Sequence, residues 1–146
     1  MKKKLLHKNS AQSIIKRSEH LTPNHKNLWG TMNATEMLMH CNSCNREVFE
    51  EKRGTSKTSL KQYLLRILAL YIAPNFTKGI ASEPKHITRG KASHIDFEEA
   101  KNEFIQLIAR FPLNRQKLTL THPAFGNIST KQWGIAAYKH MDHHLR

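Results

Sequence analysis

Two histidines close to the end of the chain, His140 and His144, have a spacing at which both imidazoles can bind one metal ion. The segment from Ser129 to Leu145 is predicted to be a helix, because Ser129 and Gln132 form an S-x-x-Q capping box. At 100° per residue, several side chains fall on one face of this helix, within an arc of about 140°: Trp133, Ala136, Ala137, His140, Met141 and His144. Both imidazoles therefore point where the apolar stripe points, with His143 at its edge.

The same spacing also has a simpler explanation. The chain contains 10 histidines in 146 residues, so an H-x-x-x-H pair can arise by chance, and a histidine facing a core is often only hydrogen-bonded there. A third histidine on another helix favours the metal hypothesis. Asn33 and Glu36 predict a helix start, with the helix running to about Glu51, and His40 shares a face of it with Met37.

Three imidazole ligands, from His40, His140 and His144, would leave at least one coordination position for water or substrate, as in catalytic metal sites. Zn²⁺ is the first choice, while Ni²⁺, Fe²⁺ and Mn²⁺ stay open because imidazole suits them all. Glu47 lies on roughly the His40 side of its helix. A surface carboxylate is the favoured interpretation, with a hydrogen-bond acceptor or base behind the ligands as the alternative.

Cys41 and Cys44 have the C-x-x-C spacing of redox and zinc motifs. A thioredoxin-type motif stands at a helix N-terminus after a strand, and a structural zinc site needs a second such pair, whereas this pair lies inside a predicted helix. The favoured interpretation is two small core residues, with a thiolate role as the alternative.

The remaining elements are predicted from periodicity and from helix breakers. A first helix is expected from Asn9 to about Leu21, a further helical segment from Ser59 to Ala73, and another helix from Asp96 to Pro112. Pro74 to Ser93 has no periodicity and is interpreted as a long crossover loop, and Leu118 to Thr121 alternates weakly without an evident partner strand. The apolar segment from Ser59 to Ala73 is predicted to pack on the bundle, with a membrane surface as the alternative.

Composition indicates one domain spanning residues 1–146. The net charge is 24 − 11 = +13, but the basic residues form separate clusters along the whole chain, so a solvated basic surface is favoured over a specific nucleic-acid site. No apolar run is long enough to span a bilayer, and only Leu5 and Leu6 follow the basic N-terminus before His7. A cytoplasmic location is therefore expected.

Several motifs together give the chain a family resemblance. They are Trp29-Gly30-Thr31-Met32-Asn33, the H-P-x-F-G loop from His122 to Gly126, Trp133-Gly134, and the terminal H-x-D-H-H-L-R from His140 to Arg146. With them the chain resembles the DinB/YfiT-like superfamily over about residues 21–146. The resemblance implies an all-α, up-down-down-up four-helix bundle whose long crossover, between the second and third helices, here contains an extra helix. It also implies that His40, His140 and His144 bind a divalent metal.

The resemblance also implies a chemistry. Better understood relatives are metal-dependent hydrolases, or thiol S-transferases that use bacillithiol, mycothiol or glutathione. A metal-dependent transferase or hydrolase acting on a small substrate, with a low-molecular-weight thiol as a cofactor of the transferase, is therefore the favoured hypothesis. Two alternatives stay open: a non-enzymatic stress or interaction module with a structural metal, and a basic nucleic-acid-associated protein. A homodimer is a further option, because bundles of this kind often pair through an apolar face.

His122 is weighed separately, because a residue before proline is extended or in a turn. A structural turn role is favoured for it, with the mouth of the site as the alternative.

Overall fold

The computed structural model describes residues 1–50, 54–80, 82–88, 90 and 96–146. Over these residues the chain is all-α apart from one small hairpin, as the sequence predicts. The elements in chain order are α1 (Lys8–Glu19), α2 (Ala34–Glu50), α3 (Leu60–Ile67) continued by a π-helix (Leu68–Ile72), a 3₁₀ turn (Pro84–His86), α4 (Phe97–Leu113), β1 (Thr121–His122), β2 (Gly126–Asn127) and α5 (Thr130–His144).

Side-chain caps fix the starts of the helices that form the predicted site. The Asn33 side chain accepts from the Glu36 N–H, and the Glu36 carboxylate accepts in return from the Asn33 N–H. Ser129 and Gln132 form the same reciprocal pair at the start of α5, as predicted. The predicted helix end at Glu51 lies outside the described residues, as do residues 81, 89 and 91–93 of the predicted crossover.

The first and last helices run parallel. The Leu5 N–H, just before α1, donates to the Gly134 carbonyl near the start of α5 at 2.9 Å. At the other end of both helices, Arg17 forms an ion pair of 2.6 Å with Asp142. The close approach of the N-terminal segment also explains Gly134, since a Cβ there would lie 2.8 Å from a side-chain carbon of Leu6.

The second and fourth helices are also parallel to each other. The Asn42 amide, in the middle of α2, donates to the Ala100 carbonyl near the start of α4 at 2.9 Å, and further along both helices the rings of Phe49 and Phe111 lie 4.7 Å apart. From the first contact to the second, the residue numbers increase along both helices, so α2 and α4 run in the same direction.

The two parallel pairs are antiparallel to each other. Lys101, near the start of α4, donates to the Glu19 carbonyl at the end of α1 at 2.8 Å. The order is therefore up-down-down-up, as predicted. Its centre is filled by fully buried side chains from four helices, among them Ile14, Leu38, Phe104, Ile108, Phe111 and Met141.

The apolar segment from Ser59 to Ala73 packs on the bundle as predicted only through part of its side chains, among them Leu70, which is fully buried in the core. The segment is helical, but Leu60 and Leu64 are 76% and 60% exposed, whereas Arg66 is buried. The reason is that the arginine is held by the hairpin: its guanidinium donates to the Asn127 carbonyl at 3.0 Å. The polar side of α3 therefore faces the protein, and its apolar side faces outward.

The H-P-x-F-G motif forms the turn of a hairpin, because Thr121–His122 pairs antiparallel with Gly126–Asn127. The partner strand that was not evident for the extended segment at Leu118 to Thr121 is thus provided by the residues just after the turn. Gly126 has a φ of +71°, and a Cβ there would lie 2.6 Å from the Thr58 side chain, so only glycine fits. Among the described helices, none is long and apolar enough to cross a membrane.

Candidate metal centre

The bundle brings His40 of α2 together with His140 and His144 of α5. The Nε2 atom of His140 lies 3.1 Å from Nε2 of His40 and 3.1 Å from Nε2 of His144. Tetrahedral zinc with Zn–N bonds of about 2.0–2.1 Å separates its nitrogen ligands by about 3.3 Å. The two separations from His140 are therefore close to the separation that one ion requires.

A main-chain atom sets the tautomer of His40. Its Nδ1 lies 2.9 Å from the carbonyl oxygen of His86. Because a carbonyl only accepts, Nδ1 must carry the hydrogen, and in the neutral ring Nε2 keeps its lone pair. That lone pair faces the cluster, as in metal sites where the second ring nitrogen of a ligand is fixed by a hydrogen bond.

His86 is itself held on both ring nitrogens. Nδ1 lies 2.7 Å from the Ser43 hydroxyl, and Nε2 lies 2.7 Å from a carboxylate oxygen of Glu47. In the neutral ring Nε2–H donates to Glu47, and Nδ1 accepts from Ser43. Glu47 thus acts at one remove from the predicted ligands, through His86, rather than as a surface carboxylate.

The sequence reasoning missed His86, which lies in the segment interpreted as a crossover loop without periodicity. The available signal was Pro84, since proline favours the first position of a helical turn. Burial raises the pKa of Glu47, but hydrogen bonds from Lys85 and His86 outweigh it and leave the pKa below its ordinary value.

The three imidazoles are held in the neutral form that binds metals. Burial, followed by the neighbouring histidines, lowers the pKa of His140 well below its ordinary value and that of His144 to about 3. Burial also lowers the pKa of His40. All three rings therefore offer lone pairs at neutral pH without first losing a proton.

The two cysteines have different surroundings. Cys41 is fully buried, and its thiol points at the Met37 sulfur at 3.8 Å, which is the core role predicted for it. Cys44 is half-buried with its sulfur 4.0 Å from Nε2 of His40. Ligand atoms of His40, Cys44 and His140 all lie within 4.8 Å of one another, so a fourth protein donor is within reach of the site.

The thiol of Cys44 is protonated at neutral pH when no metal is bound. Burial, followed by the charge of Glu47, raises its pKa to about 12. Coordination would therefore require the loss of a proton on metal binding.

A cleft of about 460 Å³ opens beside His144. Trp29 forms part of its wall, and its ring lies 5.7 Å from that of His144 in a stacked arrangement. Positive side chains line the same cleft: Arg17, Lys26 and Arg146. Of the three predicted ligands, His144 is the one that lines this cleft, and two of the positive side chains of the cleft, Arg17 and Arg146, are paired with Asp142.

His122 has the turn role favoured from sequence. Its Nδ1 accepts from the N–H groups of Ala124 and Phe125 at 3.1 and 3.2 Å, and its ring stacks on Phe125 with 4.1 Å between centroids. Burial lowers the pKa of His122 to about 4, so the ring is neutral and Nδ1 can accept both bonds.

Comparison with known proteins gives a family but no activity. A family model described as "Protein of unknown function (DUF1569)" matches residues 1–146, the whole chain. No curated protein and no solved structure matches.

Proposed function

The chain belongs to the DUF1569 family, and we propose that it is a DinB-like, divalent-metal-dependent enzyme acting on a small substrate. The observation that carries this proposal is the convergence of three Nε2 atoms, from His40, His140 and His144, at separations of 3.1 Å from the central one. Buried imidazoles that are neutral and fixed by hydrogen bonds are typical metal ligands.

Three features of the fold support the DinB-like assignment. The helix order is up-down-down-up, the H-P-x-F-G motif forms a tight hairpin before α5, and the proposed third ligand, His40, lies on the second helix of the bundle. Zn²⁺ is the proposed ion, with Ni²⁺, Fe²⁺ and Mn²⁺ as the ions to compare with it.

The bound ion would supply a Lewis acid that lowers the pKa of a coordinated thiol or water. The residues of the chain would position the substrate. Trp29 provides a flat apolar wall, and Arg17, Lys26 and Arg146 attract negative charge to the cleft beside His144. We propose transfer of an anionic low-molecular-weight thiol to an electrophile as the reaction, with hydrolysis as the alternative use of the same site.

The first experiment measures metal content by elemental analysis of protein purified without an affinity tag. We expect about one divalent ion per chain, lost in His40→Ala, His140→Ala and His144→Ala. His20→Ala is the matched control, because this exposed histidine lines the cleft outside the cluster. Unchanged metal content in the three variants would refute the ligand set.

The reaction is then tested with the loaded protein. Turnover of an electrophile only when glutathione, bacillithiol or mycothiol is present would identify the transferase. Turnover of an ester or amide without a thiol would identify the hydrolase.

A second function is favoured by one specific contact, the Cys44 sulfur at 4.0 Å from Nε2 of His40. If Cys44 completes a closed four-ligand site, the ion is structural and the protein is a non-enzymatic module. Cobalt substitution separates the two functions. A sulfur-to-cobalt charge-transfer absorption that disappears in Cys44→Ser would establish the closed site, and its absence in the wild type would leave a position open for substrate.

A further inference from the structure

The outward side of α3 and its π-helical continuation carries a continuous row of exposed apolar side chains, which we name the outer stripe: Leu60, Tyr63, Leu64, Ile67, Leu68, Tyr71 and Ile72. The four of them that lie in α3 cover an arc of about 100° at 100° per residue. Each is between 40% and 76% exposed. An apolar surface of this extent on a water-soluble fold is typical of a binding surface.

Polar contacts on the opposite side hold the stripe outward. Arg66 is buried and bonded to the hairpin, and the Gln62 side chain donates to the Pro123 carbonyl at 3.1 Å. Lys139 of α5 donates to carbonyls of the π-helix and its end, with 2.6 Å to that of Ala73. These polar contacts, together with the fully buried Leu70, hold this helix against the rest of the protein.

The charge around the stripe indicates its partner. Residues 54–80 contain no aspartate or glutamate, and two exposed lysines are close to the stripe in sequence: Lys57 and Lys61. The whole chain carries 24 − 11 = +13. A second copy would bring an equally positive face against this one, which is unfavourable, whereas an anionic surface is complementary to it.

We propose that the outer stripe binds the surface of a membrane that contains anionic lipid. The aliphatic side chains would enter the boundary between headgroups and acyl chains, the two tyrosines would lie at headgroup level, and the lysines would contact lipid phosphates. The helix would lie in the plane of the surface. This proposal goes beyond the metal-dependent function, and no part of it depends on bound metal.

The test is flotation of the full chain with vesicles of phosphatidylcholine alone or mixed with phosphatidylglycerol. We expect the protein to float with the mixed vesicles and to stay in solution with phosphatidylcholine alone. Binding should weaken steeply as salt is raised from low to moderate concentration, because surface charges are screened. Failure to bind the mixed vesicles at low salt would refute the proposal.

Matched variants separate the apolar and electrostatic contributions. Leu60→Gln with Leu64→Gln should weaken vesicle binding by about tenfold or more, since two apolar side chains that would enter the membrane are lost. Leu113→Gln should leave it unchanged, because Leu113 is 74% exposed but lies at the end of α4, outside the stripe. Lys57→Gln with Lys61→Gln should also weaken binding, and Lys117→Gln should weaken it less.

Two results would point to another occupant or none. Vesicle binding that persists in the double leucine variant would show that the stripe is not the contact. A dimer in sedimentation equilibrium that dissociates in the double leucine variant, with no vesicle binding by the wild type, would assign the stripe to a second copy of the chain. Either result overturns the membrane proposal.

Discussion

α5 and α3 each depart from the ordinary pattern of apolar inside and polar outside, in opposite directions. In α5, histidines share a face with Trp133 and Met141 and point into the bundle. In α3, leucines point into solvent while Arg66 is buried. Both departures cost stability unless something compensates, and such departures concentrate at functional sites.

The two helices differ in whether contacts that compensate for the unusual side chains lie among the described residues. His140 of α5 has both of its imidazole neighbours within 3.1 Å, so its site is assembled inside the described fold. Among the described residues, the leucines of α3 are covered by no comparable contact. The comparison teaches that the two proposals differ in kind: a small ligand is proposed for α5, and a surface is proposed for α3.

The largest expected effect comes from removing the polar group of α5. His140→Leu should abolish metal binding, because the central nitrogen of the cluster is lost. The same change should raise the free energy of unfolding of the metal-free protein, since a buried imidazole is replaced by an apolar side chain. Elemental analysis and urea unfolding in chelator measure the two effects. A metal-free variant that is less stable than the wild type would mean that the histidine serves packing alone.

The next effect is on the pH dependence of stability. The pKa is about 3 for His144 and about 4 for His122 in the folded chain, against an ordinary 6.5. At a pH between the folded pKa and the ordinary pKa, each histidine is protonated in the unfolded chain and neutral in the folded chain. The free energy of unfolding therefore decreases as pH falls through this range. We expect the metal-free protein to lose several kcal/mol between pH 6.5 and 4. Above pH 7 these two groups should contribute no slope.

Urea unfolding at a series of pH values measures this, with His122→Asn as the control. The asparagine oxygen can still accept the N–H groups of the hairpin turn, but it does not titrate. The variant should keep the fold and show a shallower pH slope. An unchanged slope would contradict the assignment of this group.

A smaller effect is expected from the buried cation of α3. Arg66→Met should lower the free energy of unfolding by about 1–3 kcal/mol, because the Asn127 carbonyl loses its donor. Hydrogen exchange should also accelerate in residues 60–72, which that contact anchors. Arg115→Met is the matched control, since Arg115 is exposed. Equal effects of the two changes would argue that the arginine does not hold the helix.

The smallest effect is expected on the outward side of the same helix. Leu64→Ala should change the free energy of unfolding by no more than about 0.5 kcal/mol, because the side chain is exposed. Leu38→Ala, at a fully buried leucine of α2, should cost about 2–5 kcal/mol. Chemical denaturation compares the two. A cost at Leu64 as large as that at Leu38 would show that the stripe is covered in the folded chain.

The sequence predicts what local chemistry decides. The reciprocal caps at Asn33 and Ser129 fix where α2 and α5 begin, and helical periodicity then puts His40, His140 and His144 on inward faces. Their mutual approach follows from the antiparallel arrangement of two such helices. The metal-binding role itself stays a prediction.

The sequence does not predict what depends on tertiary partners. Periodicity identifies two faces on α3 but not which one turns inward, because Arg66 finds its acceptor on a hairpin about 60 residues away in the chain. The contacts of His86 are not predicted for a related reason. It lies in a single 3₁₀ turn, and its contacts to Ser43 and Glu47 join two segments that no local pattern connects.

The His86 carbonyl has a consequence for how this protein is surveyed by mutation. Its hydrogen bond to His40 is made by an atom that every amino acid possesses. A saturation scan at position 86 would therefore score only the loss of the imidazole anchor, and a tolerated substitution there would leave the main-chain acceptor untested. An ester in place of the amide between residues 86 and 87 makes that carbonyl a weaker acceptor and leaves every side chain in place, but it also removes the Ile87 N–H that donates to the Pro84 carbonyl at 3.3 Å.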